Sequence, residues 1–171
     1  SAGLSENKLF RTRVAILGDV VNSKPSYLAQ ATFNYSDSGY QEFKAGKANR
    51  AGTVFVGAND GMLHAFDAET LQERWAYVPS AVIPNLWKLA DSDYDTKHSY
   101  YVNGDFKIYD ICAASDCTTA TQSDWKTILI GGLDGGGRGY YALDVTDPST
   151  PILMWEIDPA KPGFENLGYT C

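Results

Sequence analysis

The sequence predicts an all-β fold built from repeated four-stranded antiparallel sheets, the blades of a modified β-propeller. The main observation is a pattern that occurs twice, at residues 53–68 and 127–145. Each copy has a strand, a turn containing Asp-Gly, and a second strand that ends in Asp, and a third strand with a Trp follows. Aromatic residues make up 13% of the chain and glycine occurs 16 times, which suits strands and tight turns. Repetition of such a meander is typical of a propeller.

The first predicted blade covers about residues 14–95, after an N-terminal linker or tag-derived segment at 1–13. The apolar run Val14–Leu17 predicts an extended segment, which is interrupted near Asn22–Pro25 because proline cannot donate to a central ladder. A short helical turn is expected within Phe43–Arg50.

Three consecutive strands are then predicted at 53–57, 62–67 and 73–78. Between the first two, Asn59, Asp60 and Gly61 are expected to supply the positive-φ residues of a tight hairpin. Pro84–Ala90 predicts a short helix with proline in its first turn.

The second predicted blade covers about residues 98–160. Strands are expected at 98–104 and 107–112, and the meander then resumes at 125–130, 140–145 and 153–157. Its first hairpin turn, Asp134–Gly139, is enlarged.

Residues 166–171 are expected to open a third blade. Leu17-Gly-Asp-Val echoes Leu167-Gly-Tyr-Thr, and Val21-Asn-Ser echoes Val102-Asn-Gly. Because a closed propeller needs about four to eight blades, the chain is predicted to be part of a larger one.

Ten residues recur at matching positions of the two copies, and we interpret them as turn formers and packing residues rather than catalytic groups. They are Gly57, Asp60, Gly61, Asp67 and Trp75 in the first copy, and Gly131, Asp134, Gly135, Asp144 and Trp155 in the second.

The charge balance limits the classes of partner. With 14 basic and 21 acidic residues the net charge is −7, which argues against nucleic acid and anionic membranes as partners. The chain has no apolar run of about 18 residues, so no membrane span is expected. The first residues lack the features of a signal peptide, which is expected if a signal was removed or if the chain is an interior piece.

Cys112 and Cys117 bracket four residues and are expected to form a disulfide, which implies an oxidising compartment. Two free thiols remain the alternative, because spacing alone does not establish a bond. Cys171 has no evident partner in the sequence.

Asp91, Asp93 and Asp95 are weak candidates for a cation site, because they alternate as at the start of an EF-hand loop. However, Thr96 stands where that loop needs glycine and Val102 where it needs glutamate. An acidic, solvated loop is therefore favoured.

No catalytic or cofactor-binding residue is predicted. The Gly-rich run Gly131–Gly139 is followed by a strand rather than a helix, so a flexible hairpin loop is favoured over a phosphate loop. His64 and His98 are the only histidines, and neither belongs to a catalytic motif.

Taken together, several segments resemble the C-terminal propeller of PilY-type proteins, which carries quinoprotein-like repeats. The long Gly-rich block is the most specific of them. The segments are Leu17–Ser23, Gly57–Ala65, Tyr77–Ser80, Tyr101–Gly104, Gly131–Pro148 and Leu167–Thr170.

The resemblance implies a non-enzymatic scaffold module of a type IV pilus tip-associated protein that supports pilus biogenesis, twitching motility and surface adhesion. It implies export to the periplasm, followed by display at the pilus tip or cell surface. The implied partners are minor pilins, the rest of the propeller, and a host or abiotic surface. The family's calcium loop has no convincing copy here, so no cofactor is expected in this segment.

A propeller segment of a pyrroloquinoline-quinone-dependent dehydrogenase is the alternative. Such an enzyme should show carboxylate ligands, an arginine over the quinone and often a vicinal cysteine pair. Cys112 and Cys117 are not vicinal. A third reading is a purely structural fragment, with adhesion carried by another region of the protein.

Overall fold

The computed structural model describes residues 10, 11, 13 and 15–170, and it contains two four-stranded antiparallel sheets. The strands of the first sheet are β1 (Ser26–Leu28), β2 (Thr53–Ala58), β3 (Met62–Asp67) and β4 (Glu73–Tyr77). Those of the second are β5 (Phe106–Cys112), β6 (Trp125–Gly132), β7 (Tyr140–Asp144) and β8 (Ile152–Ile157). Each sheet follows the order of the sequence, which confirms the predicted blade-like meanders.

Helical structure is limited to short pieces. The helix α1 (Tyr40–Gly46) begins before the helical turn predicted at 43–50. The helix predicted at 84–90 is instead part of a longer 3₁₀ segment, Ser80–Ala90, with Pro84 inside it. Proline cannot donate the bond that an α-helix requires, which fits the tighter form. Two further 3₁₀ turns are Tyr94–Thr96 and Gln122–Asp124. No helix among the described residues is long and apolar enough to cross a membrane.

Two of the expected extended segments form no strand among the described residues. In the segment predicted to be extended at 14–17, Val14 lies outside the described residues and 15–17 form no strand; the first strand begins only after Pro25. Residues 98–104 also form no strand, because Tyr101 N–H donates to the Asn59 side chain rather than to a ladder.

At the end of the chain, Thr170 makes an isolated bridge with Asp134. Cys171, the last residue of the segment expected to open a third blade, lies outside the described residues.

The hairpin after β2 also differs from expectation. Of its three turn residues, only Gly61 has a positive φ, at 95°. In the second sheet it is Asp134 that takes a positive φ, of 49°.

The main core lies between the two sheets. Phe55 and Leu63 from the first sheet and Leu129, Tyr141 and Leu143 from the second have at most 1% of their surface exposed. Burial of these side chains stabilises each sheet only when the other is present.

A second core joins the sheets through the 29–52 excursion between β1 and β2. Tyr40 and Phe43 of α1 pack against Trp125 of β6, and the rings of Tyr40 and Trp125 lie 4.7 Å apart. This excursion therefore attaches the first sheet to the second.

The register defines which residues of the two sheets are equivalent. Phe55, Ala65 and Trp75 form one cross-strand row, and Ile130, Ala142 and Trp155 form the corresponding row. This alignment keeps Trp75 with Trp155 and Asp67 with Asp144. Between β2 and β6, however, the structural alignment differs by one residue from the alignment of the sequence repeat. Asn59, rather than Asp60, therefore corresponds to Asp134.

Candidate functional site

Polar side chains concentrate where the β2–β3 and β6–β7 turns meet the segments 15–24 and 98–105. Asp134, in the β6–β7 turn, contacts both segments, because its Oδ2 accepts from the side-chain amides of Asn22 (2.8 Å) and Asn103 (3.0 Å). Asn103 Oδ1 in turn accepts from Asn22 N–H at 3.3 Å. This joint links the segment before the first sheet to the turn of the second.

His64 lies between two carboxylates within the first sheet. Its Nδ1 is 2.5 Å from Glu73 Oε1, and its Nε2 is 3.1 Å from both oxygens of Asp60. Burial alone would lower the pKa of His64, but the hydrogen bonds to Asp60 and Glu73 outweigh it and raise that pKa. With an acceptor at each nitrogen, the imidazolium is the form that satisfies both contacts.

Both histidines fasten the segment Gly18–Asp19. Asp60, the partner of His64, also accepts from Gly18 N–H at 2.8 Å. Asp19 lies 3.1 Å from His98 Nε2 and accepts from Asn59 Nδ2 at 2.9 Å. Burial opposes ionisation of Asp19, but the hydrogen bonds from Asn59 and His98 prevail and lower its pKa. The contacts of Asp60, Asn59 and His98 thus hold the Gly18–Asp19 segment in place.

A second buried network surrounds Asp110, which is 4% exposed. Asp110 accepts from the Tyr40 hydroxyl at 2.8 Å and from Thr127 Oγ1 at 2.6 Å. Arg50 Nη1 donates to the same Thr127 oxygen at 2.8 Å. Burial, followed by the adjacent Asp110 carboxylate, raises the pKa of Tyr40. These bonds attach α1 and the end of the 29–52 excursion to β5 and β6.

The three candidate cation ligands take part in local contacts. Asp91 Oδ1 accepts from Asp93 N–H, Asp93 lies 3.4 Å from Lys97 Nζ, and Asp95 lies 3.8 Å from Arg11. Across the part of the chain that the structure describes, no cluster of three or more His, Cys, Asp or Glu residues could hold a metal ion. The acidic, solvated loop remains the favoured interpretation of these residues, and a cation site there remains an untested alternative.

Cys112 and Cys117 form a disulfide in the structure, with their Cα atoms 6.1 Å apart. The bond closes a loop that begins at the end of β5. Cys112 also packs against the Trp125 cluster, so the disulfide lies beside the second core.

The recurring aspartates organise turns. Asp67 Oδ1 accepts from the N–H groups of Glu69 and Thr70, and Asp144 Oδ1 accepts from that of Thr146. Backbone hydrogen bonds, together with Arg74, lower the pKa of Asp67. The two tryptophans differ in environment, since Trp75 Nε1 donates to Pro148 O at 2.8 Å whereas Trp155 is 37% exposed.

An open groove of about 700 Å³ lies between the 3₁₀ segment Ser80–Ala90 and the Gly-rich turn after β6. Sequence reasoning missed it, because Lys88 belongs to no motif and Arg138 lies in a Gly-rich block that was interpreted as a hairpin loop. The enlarged turn was its only signal. Its lining includes Lys88, Tyr100, Arg138, Asp158 and Tyr169.

Comparison with known proteins gives a consistent result. The family described as the PilY1 beta-propeller domain matches residues 17–170. A type IV pilus biogenesis factor PilY1 homolog of Xylella fastidiosa is 44% identical over 167 residues, covering 94% of this chain and 13% of the relative. The type IV pilus biogenesis factor PilY1 of Pseudomonas aeruginosa is 42% identical over 169 residues, covering 94% and 14%.

A solved structure agrees with these relatives. The crystal structure of the Pseudomonas aeruginosa PilY1 C-terminal domain aligns with a TM-score of 0.57 and 34% identity, covering 80% of this chain and 26% of that one. The chain therefore spans a small part of the proteins that it resembles.

Proposed function

This chain belongs to the PilY1 β-propeller family, and from that premise we propose that it is a non-enzymatic scaffold module of a type IV pilus biogenesis factor. The observation that carries the proposal is the 42–44% identity over 94% of the chain to relatives named for pilus biogenesis. The polar networks support a scaffold role, because the contacts of Asp60, Asp110 and Asp134 all join separate segments.

The proposed setting is the periplasm, followed by the pilus tip or the bacterial cell surface. The Cys112–Cys117 disulfide supports an oxidising compartment. Minor pilins and the rest of the propeller are the proposed partners. Twitching motility and attachment to a host or abiotic surface would then depend on the assembled protein. Any calcium would bind elsewhere in the parent protein.

The test uses the full-length parent protein in a strain that lacks it. One variant deletes residues 53–158. A second carries Trp75→Ala, which removes the indole that donates to Pro148 and packs against Phe55. Trp87→Ala is the matched control, because Trp87 is 65% exposed. Sheared surface pilin, twitching and attachment are measured alongside parent-protein abundance.

We expect surface pilin to be lost with the deletion and reduced with Trp75→Ala, while Trp87→Ala keeps it. Unchanged piliation in the deletion strain would contradict the role. The enzymatic alternative has its own assay, in which the chain is mixed with pyrroloquinoline quinone, calcium, an alcohol and an electron acceptor. Reduction of the acceptor would overturn the non-enzymatic part of the proposal.

A further inference from the structure

The groove beside Lys88 and Arg138 is bordered by two elements that differ between the two sheets. Ala58 pairs with Met62, so residues 59–61 close the first turn, whereas Gly132 pairs with Tyr140 and residues 133–139 close the second. The 3₁₀ segment Ser80–Ala90 follows β4, whereas 158–170, which follow β8, contain no helix. Departures from a repeated scaffold are where binding loops are usually placed.

Close packing of the Gly-rich turn on the 99–101 segment fixes the shape of the groove. A Cβ at Gly136 would lie 1.7 Å from the backbone oxygen of Tyr101, and one at Gly135 would lie 3.0 Å from the Tyr100 ring. The Gly-rich turn is therefore packed directly on the 99–101 segment. A groove held in this way loses little conformational freedom when a ligand binds.

Two cationic groups line the groove without partners. Among the described residues, neither Lys88 nor Arg138 makes a side-chain hydrogen bond or ion pair, although most other basic side chains do. Because Asp158 also lines the groove, the lining carries one net positive charge, on a chain whose net charge is −7. Cations in a concave site favour carboxylate groups, which arginine can bind in a bidentate manner.

The groove also presents aromatic surface. Tyr100 is 43% exposed and Tyr169 is 72% exposed, and both line it. Exposed tyrosine rings provide flat apolar faces with a polar end, which suit the C–H faces and hydroxyl groups of sugar rings. Ser80 and Asn85 add polar groups to the same lining.

Every residue that lines the groove lies in a loop or in the 3₁₀ segment, and none lies in a strand. A peptide that bound by strand addition would need an open strand edge, which this groove does not offer. A saccharide needs only the side chains described above.

We propose that this groove binds an acidic saccharide, with Lys88 and Arg138 contacting its carboxylates and Tyr100 and Tyr169 contacting its rings. The volume of about 700 Å³ accommodates a few sugar units. The proposal does not depend on the role in pilus biogenesis.

Calorimetric titration of the full chain with a hexamer of galacturonic acid tests the proposal. We expect measurable binding that weakens as salt increases, because surface charge attraction is screened. Lys88→Gln with Arg138→Gln should weaken binding at least about tenfold, as loss of two charge-assisted contacts predicts. Tyr169→Ala should weaken it about threefold or more.

The matched control is Lys97→Gln with Lys107→Gln, which removes the same charge from residues outside the groove. It should bind as the unaltered chain does, and melting temperatures should show that all variants remain folded. Failure to bind the hexamer would overturn the proposal, as would an equal loss in the control pair. Equal binding of maltohexaose would show that carboxylates are not recognised, and equal or tighter binding of hexaglutamate would indicate an acidic peptide instead.

Discussion

The charge of His64 is set by the carboxylates on either side of its ring. Its side chain is 5% exposed, and that of Asp60 is 1% exposed, so neither is well solvated. Burial disfavours charge on Asp60, yet the hydrogen bonds from His64 and Gly18 outweigh it and lower its pKa. Protonated His64 therefore joins Glu73 of β4 to Asp60, the carboxylate that also accepts from Gly18 N–H.

Stability should consequently fall as the pH rises above neutrality. Because the pKa of His64 is raised on folding, its contribution is fully present below the unfolded pKa of about 6.5 and is lost as pH rises through the folded value. We expect melting temperatures measured from pH 5 to 9 to decline over the upper part of that range. His64→Gln should remove this decline and lower the free energy of unfolding by about 1–3 kcal/mol.

His98→Gln is the matched control, because the His98 side chain is 38% exposed. It should keep most of the pH dependence. A pH profile of His64→Gln that runs parallel to that of the unaltered chain would contradict the assignment of the charge to His64.

The sequence could identify His64 as a residue within a strand, but not its partners. Its contact with Glu73 depends on the register between β3 and β4, which shifts at an irregularity between Ala65 and Phe66. Such a shift leaves no mark in the alternation of apolar and polar residues. The side chains that meet across the strands therefore become known only from the structure.

Among the elements, β2, β3, β6 and β7 could be predicted because their alternating apolar residues pack into a core. The sequence repeat did not align the residues of the β2–β3 turn correctly with those of the β6–β7 turn. Gly61 N–H donates to Ala58 O, and the corresponding bond of the second sheet is from Gly136 N–H to Leu133 O. Gly136 thus takes the place that the sequence repeat gives to Gly135, because the enlarged turn begins one residue later.

Segments 15–24 and 98–104 resemble strands in sequence but bond differently. Ser23 Oγ accepts from Gly57 N–H at 2.9 Å, and Asn59 Oδ1 accepts from Tyr101 N–H at 3.0 Å. Short polar side chains thereby replace the backbone partners that a ladder would supply. Local apolar patterns do not reveal this substitution.

Gly136→Ala should destabilise the chain by about 1–3 kcal/mol, the usual cost of forcing an extra carbon into a packed site. The new Cβ would meet the Tyr101 backbone oxygen, which has no flexible end that can move aside. Gly168→Ala is the control, because nothing lies within 4 Å of the Cβ position there. Denaturant unfolding of both variants gives the comparison, and equal losses would show that the turn is not packed as described.

In the whole molecule, β4 attaches the first sheet to the second through a small set of contacts. Trp75 donates to Pro148 O, Arg74 donates to Ser149 Oγ at 2.9 Å, and Tyr77 donates to Glu156. On β8, the residue equivalent to Trp75 is Trp155, and its neighbours Ile152 and Leu153 are 63% and 51% exposed. The outer face of β8 in the second sheet is therefore equivalent to the face of β4 through which the first sheet contacts the second.

Truncation of the two equivalent tryptophans should have different effects in this chain. Trp75→Ala removes a hydrogen bond to Pro148 and contacts with Phe55, so we expect a loss of about 2–4 kcal/mol in the free energy of unfolding. Trp155→Ala should cost less than about 1 kcal/mol, because no second sheet covers that side chain among the described residues.

In the full-length parent protein, a following sheet would bury Trp155 as the second sheet buries Trp75, and the two losses should become similar. Denaturant unfolding of both proteins measures this difference. If Trp155→Ala stays near neutral in the parent protein, the outer face of β8 is not a contact between sheets.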